Sequence, residues 1–235
     1  MARQRATTRL SARIVRLTLF VALLVLVLSL ALVLPLRWVA PPTTAFMLQD
    51  ESGRVPVLYE WNDWPLLGTN AAIAVVAAED QKFADHVGFD LKSIQESFAG
   101  YGGGDSLRGA STITQQVAKN LYLWPGRSFV RKGIEAWFAL LIEVSWTKLR
   151  ILEVYLNIAE FGPGLYGVPA ASRVYFSKTP ATLTEAEAAL LAAVLPNPRR
   201  LDVGHPSDYL QERQRWIESH MQRMRREAWL TSITE

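Results

Sequence analysis

Three clusters of residues have the types and spacing to do chemistry. The first lies in AAEDQKFADHVGFD, residues 77–90, which closes a run of small and aliphatic residues beginning at Ala71. A helix predicted over 69–87 puts Ala72, Val75, Val76, Glu79, Phe83 and His86 on one side, because residues three and four apart share a face. Glu79 therefore falls on the apolar stripe itself. A carboxyl so placed either finds a partner or has its pKa raised by desolvation, the condition for a general acid or base working near neutrality. A helix that simply ends in solvent with Glu79 exposed fits the stretch equally well. His86 alone reads as a structural hydrogen bonder.

The second cluster is GASTITQQVAKN, residues 109–120. Wound as a helix, it gathers Thr112, Gln115, Gln116, Lys119 and Asn120 within an arc of about 140°, with Ile113, Val117 and Leu121 on the neighbouring arc. A band of hydroxyl, amide and one cation suits a sugar or phosphate surface, whereas exposed helices usually carry Glu and Lys pairs. A solvated polar face is the competing account. The third cluster is Arg127, Arg131, Lys132 and Glu135, in which Arg127, Arg131 and Glu135 are spaced i, i+4, i+8. Taken alone it is best read as an exposed ion-pair ladder, worth roughly a few tenths of a kcal/mol per pair. The functional account is a cradle for a diphosphate, with forked contacts from Arg and a point charge from Lys.

The elements that must position these clusters are mostly helical. Helices are predicted over 69–87, 91–99, 111–123, 128–145, 147–160, 166–175, 184–195 and 207–229. Breakers stand at Gly102-Gly103-Gly104, Pro125-Gly126, Gly162-Pro163-Gly164 and Pro196-Asn197-Pro198. Thr184 and Glu187 form a capping box ahead of AALLAAVL. Residues 45–66 are the one place for a small strand pair. The last helix gathers Leu210, Ile217, Met221 and Met224 on one face and most of its arginines elsewhere, so it docks on the domain with a solvated basic face.

Residues 17–36 contain no charge and are nearly all aliphatic, about the length that crosses a ~30 Å hydrocarbon core. The run is too long for the core of a cleavable signal peptide, and no convincing cleavage site follows it. Arg3, Arg5, Arg9, Arg13 and Arg16 precede it with no acid, which places residues 1–16 in the cytoplasm and the rest across the membrane. Residues 37–54 read as a membrane-proximal linker and 55–235 as one domain. Residues 1–36 hold five Arg and no acid, leaving 20 basic against 22 acidic residues beyond. The basicity thus belongs to the membrane flank, and no nucleic-acid partner is expected. With no Cys in the chain, thiol chemistry and thiolate metal sites are excluded.

Together EDQKFADHVGFD, GASTITQQVAKN, RKGIEAWFALLIE, KLRILEVYLNIAEFGPGLYGVPAASRVYF and LTEAEAALLAAVLPNPRR resemble the five ordered motifs of the family 51 glycosyltransferases, the peptidoglycan glycan-chain polymerases. The resemblance covers roughly residues 55–200. As the chain ends at 235 with no transpeptidase domain, it is similar to the monofunctional, membrane-anchored members of Gram-negative bacteria rather than to bifunctional penicillin-binding proteins. The resemblance implies a mainly α, lysozyme-like fold and lipid II, a disaccharide-peptide on a polyprenyl diphosphate, as substrate alongside the lipid-linked glycan strand.

It further implies Glu79 as general base and Glu135 as a second essential carboxylate near the donor diphosphate. Lys119, Arg127, Arg131 and Lys132 would hold that diphosphate, Thr112, Gln116 and Asn120 would line the cleft, and Asp80, Phe83 and His86 would support the base. The resemblance implies a divalent cation, Mg²⁺ or Mn²⁺, at the diphosphate, with Glu135 as a candidate ligand, although the sequence shows no dedicated oxygen-ligand cluster to require one; no organic cofactor is implied. Phe89 to Arg108 corresponds to the family's membrane-facing segment. The inner membrane and other cell-wall synthesis proteins are the expected partners. The rivals are a lysozyme-like muramidase or lytic transglycosylase, which would need no cationic cluster, and a non-catalytic scaffold of cell-wall synthesis.

Overall fold

The computed structural model describes residues 2–54, 56–90, 111–126, 128–226, 229 and 233. They form two compact units, Met1–Val39 and Ala40–Glu235. The first is helix α1 (Ala2–Val33), closed by a 3₁₀ turn over Pro35–Arg37. Its stretch Arg13–Arg37 is long and apolar enough to cross a membrane. The helix starts well before Leu17, and Pro35, which lacks an N–H, follows its end.

The second unit is mainly α. It runs through α2 (Ala45–Leu48), β1 (Leu58–Tyr59), α3 (Trp64–Leu67), α4 (Thr69–Glu79), α5 (Ile113–Tyr122), α6 (Phe129–Ser145) and α7 (Lys148–Ile158). Then come β2 (Glu160–Gly162), β3 (Leu165–Tyr166), α8 (Val168–Phe176), α9 (Glu185–Val194) and α10 (Asp208–Arg226). Ala71 to Ala77 are all buried, because α4 is packed against α7, α9 and α10 and has no solvent face to make polar. α9 is nearly as apolar for the same reason. α5 packs on α2, α6 and α7 and is amphipathic, with Ile113, Val117 and Leu121 in the core.

Helix starts follow the capping residues. Thr112, Ser128, Thr147 and Thr184 each accept the backbone N–H three residues on, from Gln115, Arg131, Arg150 and Glu187. Each such cap contributes about 1 kcal/mol. The capping box of Thr184 and Glu187 forms as expected, and Thr112 and Gln115 make a second one.

The strand pair expected within residues 45–66 does not form there. Only β1 comes from that region, and it pairs in parallel with β3, while β2 and β3 form an antiparallel hairpin across the Gly162–Gly164 breaker. Asn157 secures the long connection: its Oδ1 accepts the Asn62 N–H at 2.8 Å and its Nδ2 donates to the Asn62 carbonyl at 2.9 Å. The helix expected over 147–160 accordingly stops at Ile158, since Glu160 belongs to the hairpin.

The helix predicted over 69–87 ends at Glu79, which removes the face that Phe83 and His86 were expected to share with it. Asp80 turns the chain out of the helix at φ −159°, ψ 73°. Its carboxylate then accepts the Ile113 N–H at 2.9 Å and meets His86 Nε2 at 2.9 Å. The chain continues through turns, burying Phe83 beneath the Lys148 ammonium, whose Nζ lies 4.5 Å from the ring centre. Two tertiary bonds and one buried aromatic thus outweigh the two further helical turns that periodicity favoured. The helix expected over 91–99, and most of the membrane-facing segment Phe89 to Arg108, lie outside the described residues.

Candidate active site

Glu79 stands at the C-terminal end of α4, its side chain 14% exposed. Two groups hold it. Gln116 of α5 donates from Nε2 to Oε2 at 2.9 Å, and Arg213 of α10 brings Nη2 to 3.6 Å from Oε1. The Gln116 amide is itself oriented, because the buried Tyr155 hydroxyl of α7 donates to its Oε1 at 3.0 Å. Burial pushes the Glu79 carboxyl above its ordinary range, and the neighbouring Asp80 adds to this. The Gln116 hydrogen bond, Arg213 and Lys119 pull the other way. The residue thus combines the ingredients of a tuned base: desolvation countered by one fixed donor and by nearby positive charge.

Two cavities meet beside its partner Gln116, sharing Phe46, Gln116 and Lys119, and Glu79 itself lines neither. The larger, about 480 Å³, is lined further by Trp124, Arg131, Lys132 and Glu135. The smaller, about 160 Å³, adds Asn120, Tyr155, Glu160 and Tyr166. Lys119 stands at their junction with Nζ 5.2 Å from the Phe46 ring centre, and it makes no salt bridge among the described residues. Burial depresses its pKa, the nearby Glu135 and Glu79 oppose that, and Arg131 and Lys132 add to it. A largely buried ammonium that faces a cavity and has no salt bridge among the described residues has the chemistry to attract an anion.

Arg131, Lys132 and Glu135 form a partly buried knot on α6, unlike the exposed ladder that spacing alone favoured. Glu135 is only 4% exposed; Arg131 donates to its Oε2 at 2.8 Å and Lys132 to its Oε1 at 2.5 Å. Arg131 Nε is buried without a partner among the described residues, while its Nη1 is engaged by Glu135. Arg127 lies outside the described residues. Because both Glu135 oxygens are occupied, and no three His, Asp or Glu side chains among the described residues could share an ion, the residues do not fit a protein-held divalent cation.

The band on α5 is not a solvated face. Gln115 and Asn120 are buried, Gln116 and Lys119 face the cavities, and Thr112 is withdrawn from them. Thr112 cannot serve as an open cleft residue, since its Oγ1 caps α5 and donates to the Gly88 carbonyl at 2.7 Å. Gly88 needs its φ of 74°, and a Cβ there would meet the Glu143 side chain at 2.7 Å. Asp80, Phe83 and His86 sit behind Glu79, joining the end of α4 to the start of α5.

Sequence reasoning missed Phe46, Tyr155 and Arg213. Nothing in the sequence marks the first two. Arg213 has a signal: the apolar stripe Leu210, Ile217, Met221, Met224 skips one turn, and the skipped position holds Arg213 and Gln214. The remaining face of α10 is basic and exposed as expected.

A family model described as Transglycosylase matches residues 59–222. The chain is 50% identical over 212 residues to a biosynthetic peptidoglycan transglycosylase of Stutzerimonas stutzeri, covering 88% of each protein. It is 51% identical over 205 residues to that of a Marinomonas species, covering 87% of this chain and 90% of the relative. To the Shewanella oneidensis protein of the same name it is 48% identical over 200 residues, covering 83% and 86%. With most of both chains aligned at this identity, and five motifs in order through the matched region, the chain belongs to the transglycosylase family.

Proposed function

We propose that this protein polymerises peptidoglycan glycan chains, transferring the lipid-linked growing strand from its polyprenyl diphosphate to the sugar 4-hydroxyl of lipid II. The observation that carries the reading is a largely buried carboxylate hydrogen-bonded to Gln116, a residue that lines both cavities, one of them also lined by three cations. Glu79 takes the proton of the acceptor hydroxyl. The oxygen so freed attacks the anomeric carbon, and the bond from that carbon to the diphosphate oxygen breaks with its electron pair. An α-linked donor gives a β-1,4 product in one inversion, with the hydroxyl standing where water stands in an inverting hydrolase. Lys119, Arg131 and Lys132, joined by Arg127, hold the diphosphate and stabilise its growing charge. Glu135 orients Arg131 and Lys132, and Asn120 lines the sugar side. Any Mg²⁺ or Mn²⁺ enters with the substrate's diphosphate rather than on a protein site.

Because both substrates carry polyprenyl tails, the domain works at a membrane. α1 anchors it in the inner membrane, with the arginine-rich N-terminus in the cytoplasm and the catalytic unit in the periplasm. Tethering also concentrates enzyme and substrate on one surface. A muramidase would use a similar carboxylate, but its substrate has no diphosphate to occupy the cationic cavity. Incubation of the full chain with lipid II in detergent distinguishes the two. Growth of glycan polymer supports this reading, and shortening of preformed glycan without growth refutes it.

A further inference from the structure

Arg213 occupies an unusual place. It lies on the buried stripe of α10, between Leu210 and Ile217, where a hydrophobic residue is expected. Its side chain is 22% exposed. It donates weakly to the Ala78 carbonyl at 3.4 Å, in the last turn of α4, and its Nε is buried without a partner among the described residues. Its Nη2 approaches Glu79 Oε1 at 3.6 Å, close enough for Coulomb attraction and too long for a hydrogen bond.

The two carboxylate oxygens are therefore not equivalent. Oε2 is committed to the Gln116 amide, while Oε1 accepts no hydrogen bond among the described residues and stands beside a positive charge. We propose that Arg213 is a positioning residue for the reaction: it keeps Glu79 ionised while leaving Oε1 free to accept the proton of the incoming hydroxyl. The inference rests on Glu79 being the base. An arginine suits this task because this side-chain type stays charged at any working pH, and the Ala78 carbonyl accepts one long contact from its Nη2. A hydrogen-bonded guanidinium on Oε1 would occupy the atom that must take the proton. One that did not approach at all would leave the buried carboxyl to be neutralised by desolvation.

Among the described residues, the groups facing Glu79 from the surrounding elements are few. Asp80 follows it, Gln116 and Lys119 come from α5, Tyr155 from α7 and Arg213 from α10. On α9, Glu185 and Glu187 are turned to Arg225 and Lys178. Of the two cations, Lys119 also faces Glu135 and the cavities, so its charge is shared with whatever anion binds there. Arg213 lines neither cavity, and its charge stays with Glu79.

The test is the pH profile of kcat/KM for lipid II polymerisation by the full chain, comparing wild type with Arg213→Gln, Arg213→Met and Arg213→Lys. Removing the charge is expected to move the acidic limb upward by about one pH unit, so that activity below the limb falls about tenfold and the deficit narrows as pH rises. Arg213→Lys is expected to bring the limb back towards its wild-type position. Arg213→Met retains the packed stem and gives the same readout where the Gln variant fails to fold. A loss equal at every pH, or a Lys variant shifted as far as Gln, overturns the proposal in favour of simple packing. Glu79→Gln run alongside separates the two levels. If it still polymerises, the base assignment falls; if it is inactive while the Arg213 limb does not move, only the role of Arg213 falls.

Discussion

Gln116 donates to Glu79 Oε2 at 2.9 Å through the one amide orientation that also lets it accept from Tyr155 at 3.0 Å. Three elements, α4, α5 and α7, thereby fix a single carboxylate. Tyr155→Phe removes the donor, strands the Gln116 carbonyl oxygen in the interior at a cost of about 1–3 kcal/mol, and frees the amide to present oxygen to Glu79. We expect a lower melting temperature and kcat reduced about tenfold, as a barrier increase of about 1.4 kcal/mol implies. Steady-state kinetics and thermal unfolding of the variant check both.

Glu79 is also expected to destabilise the protein in its working state. Its folded pKa is raised above the unfolded value by burial, so the folded state holds the proton more tightly. The favourable contribution is therefore present at low pH and lost as pH rises through the folded pKa. Glu79→Gln removes the penalty of the buried charge. Its melting temperature at pH 8 should exceed that of wild type, and the difference should shrink as the pH is lowered, the usual exchange of stability for function at a site.

Asp80 has a different job from its neighbour. It accepts the first N–H of α5 and engages His86, so Asp80→Ala leaves a buried backbone donor unpaired, at a cost of about 1–3 kcal/mol. Asp80→Asn keeps an acceptor for Ile113. Denaturant unfolding should rank wild type above Asn and Asn above Ala, whereas equal losses would deny the N–H bond its importance.

Lys119 carries an opposite trade. Burial lowers its pKa because the charged form is poorly solvated and has no salt bridge among the described residues. Lys119→Met keeps the stem that packs by Phe46 and removes the charge. The variant should unfold no more easily than wild type, yet bind polyprenyl diphosphate about ten- to a hundredfold more weakly, the value of one charge-assisted contact of about 1.5–3 kcal/mol. Titration calorimetry on the two proteins gives the comparison.

How far the sequence could be read depended on whether the forces were local. Caps at Thr112, Ser128, Thr147 and Thr184, and the apolar stripes of α5 and α10, are local and legible. The end of α4 was not, since Asp80 leaves the helix for partners at Ile113 and His86 that no window around it contains. The parallel pairing of Leu58 with Leu165 is equally non-local. In the site, Glu79 stood out by its place on an apolar stripe, although the predicted reason, a face shared with Phe83 and His86, proved wrong. Thr112 matched by motif and turned out to cap a helix. Arg213 was hidden because a single charge in a basic helix reads as solvated, and only the missing hydrophobic turn hints otherwise.

The central claim is that Glu79 takes the acceptor proton in glycan polymerisation, and turnover of lipid II by Glu79→Gln tests it most directly. The account predicts that the variant folds, binds polyprenyl diphosphate as wild type does, and forms no polymer. Polymer formation at a rate comparable to wild type would contradict it.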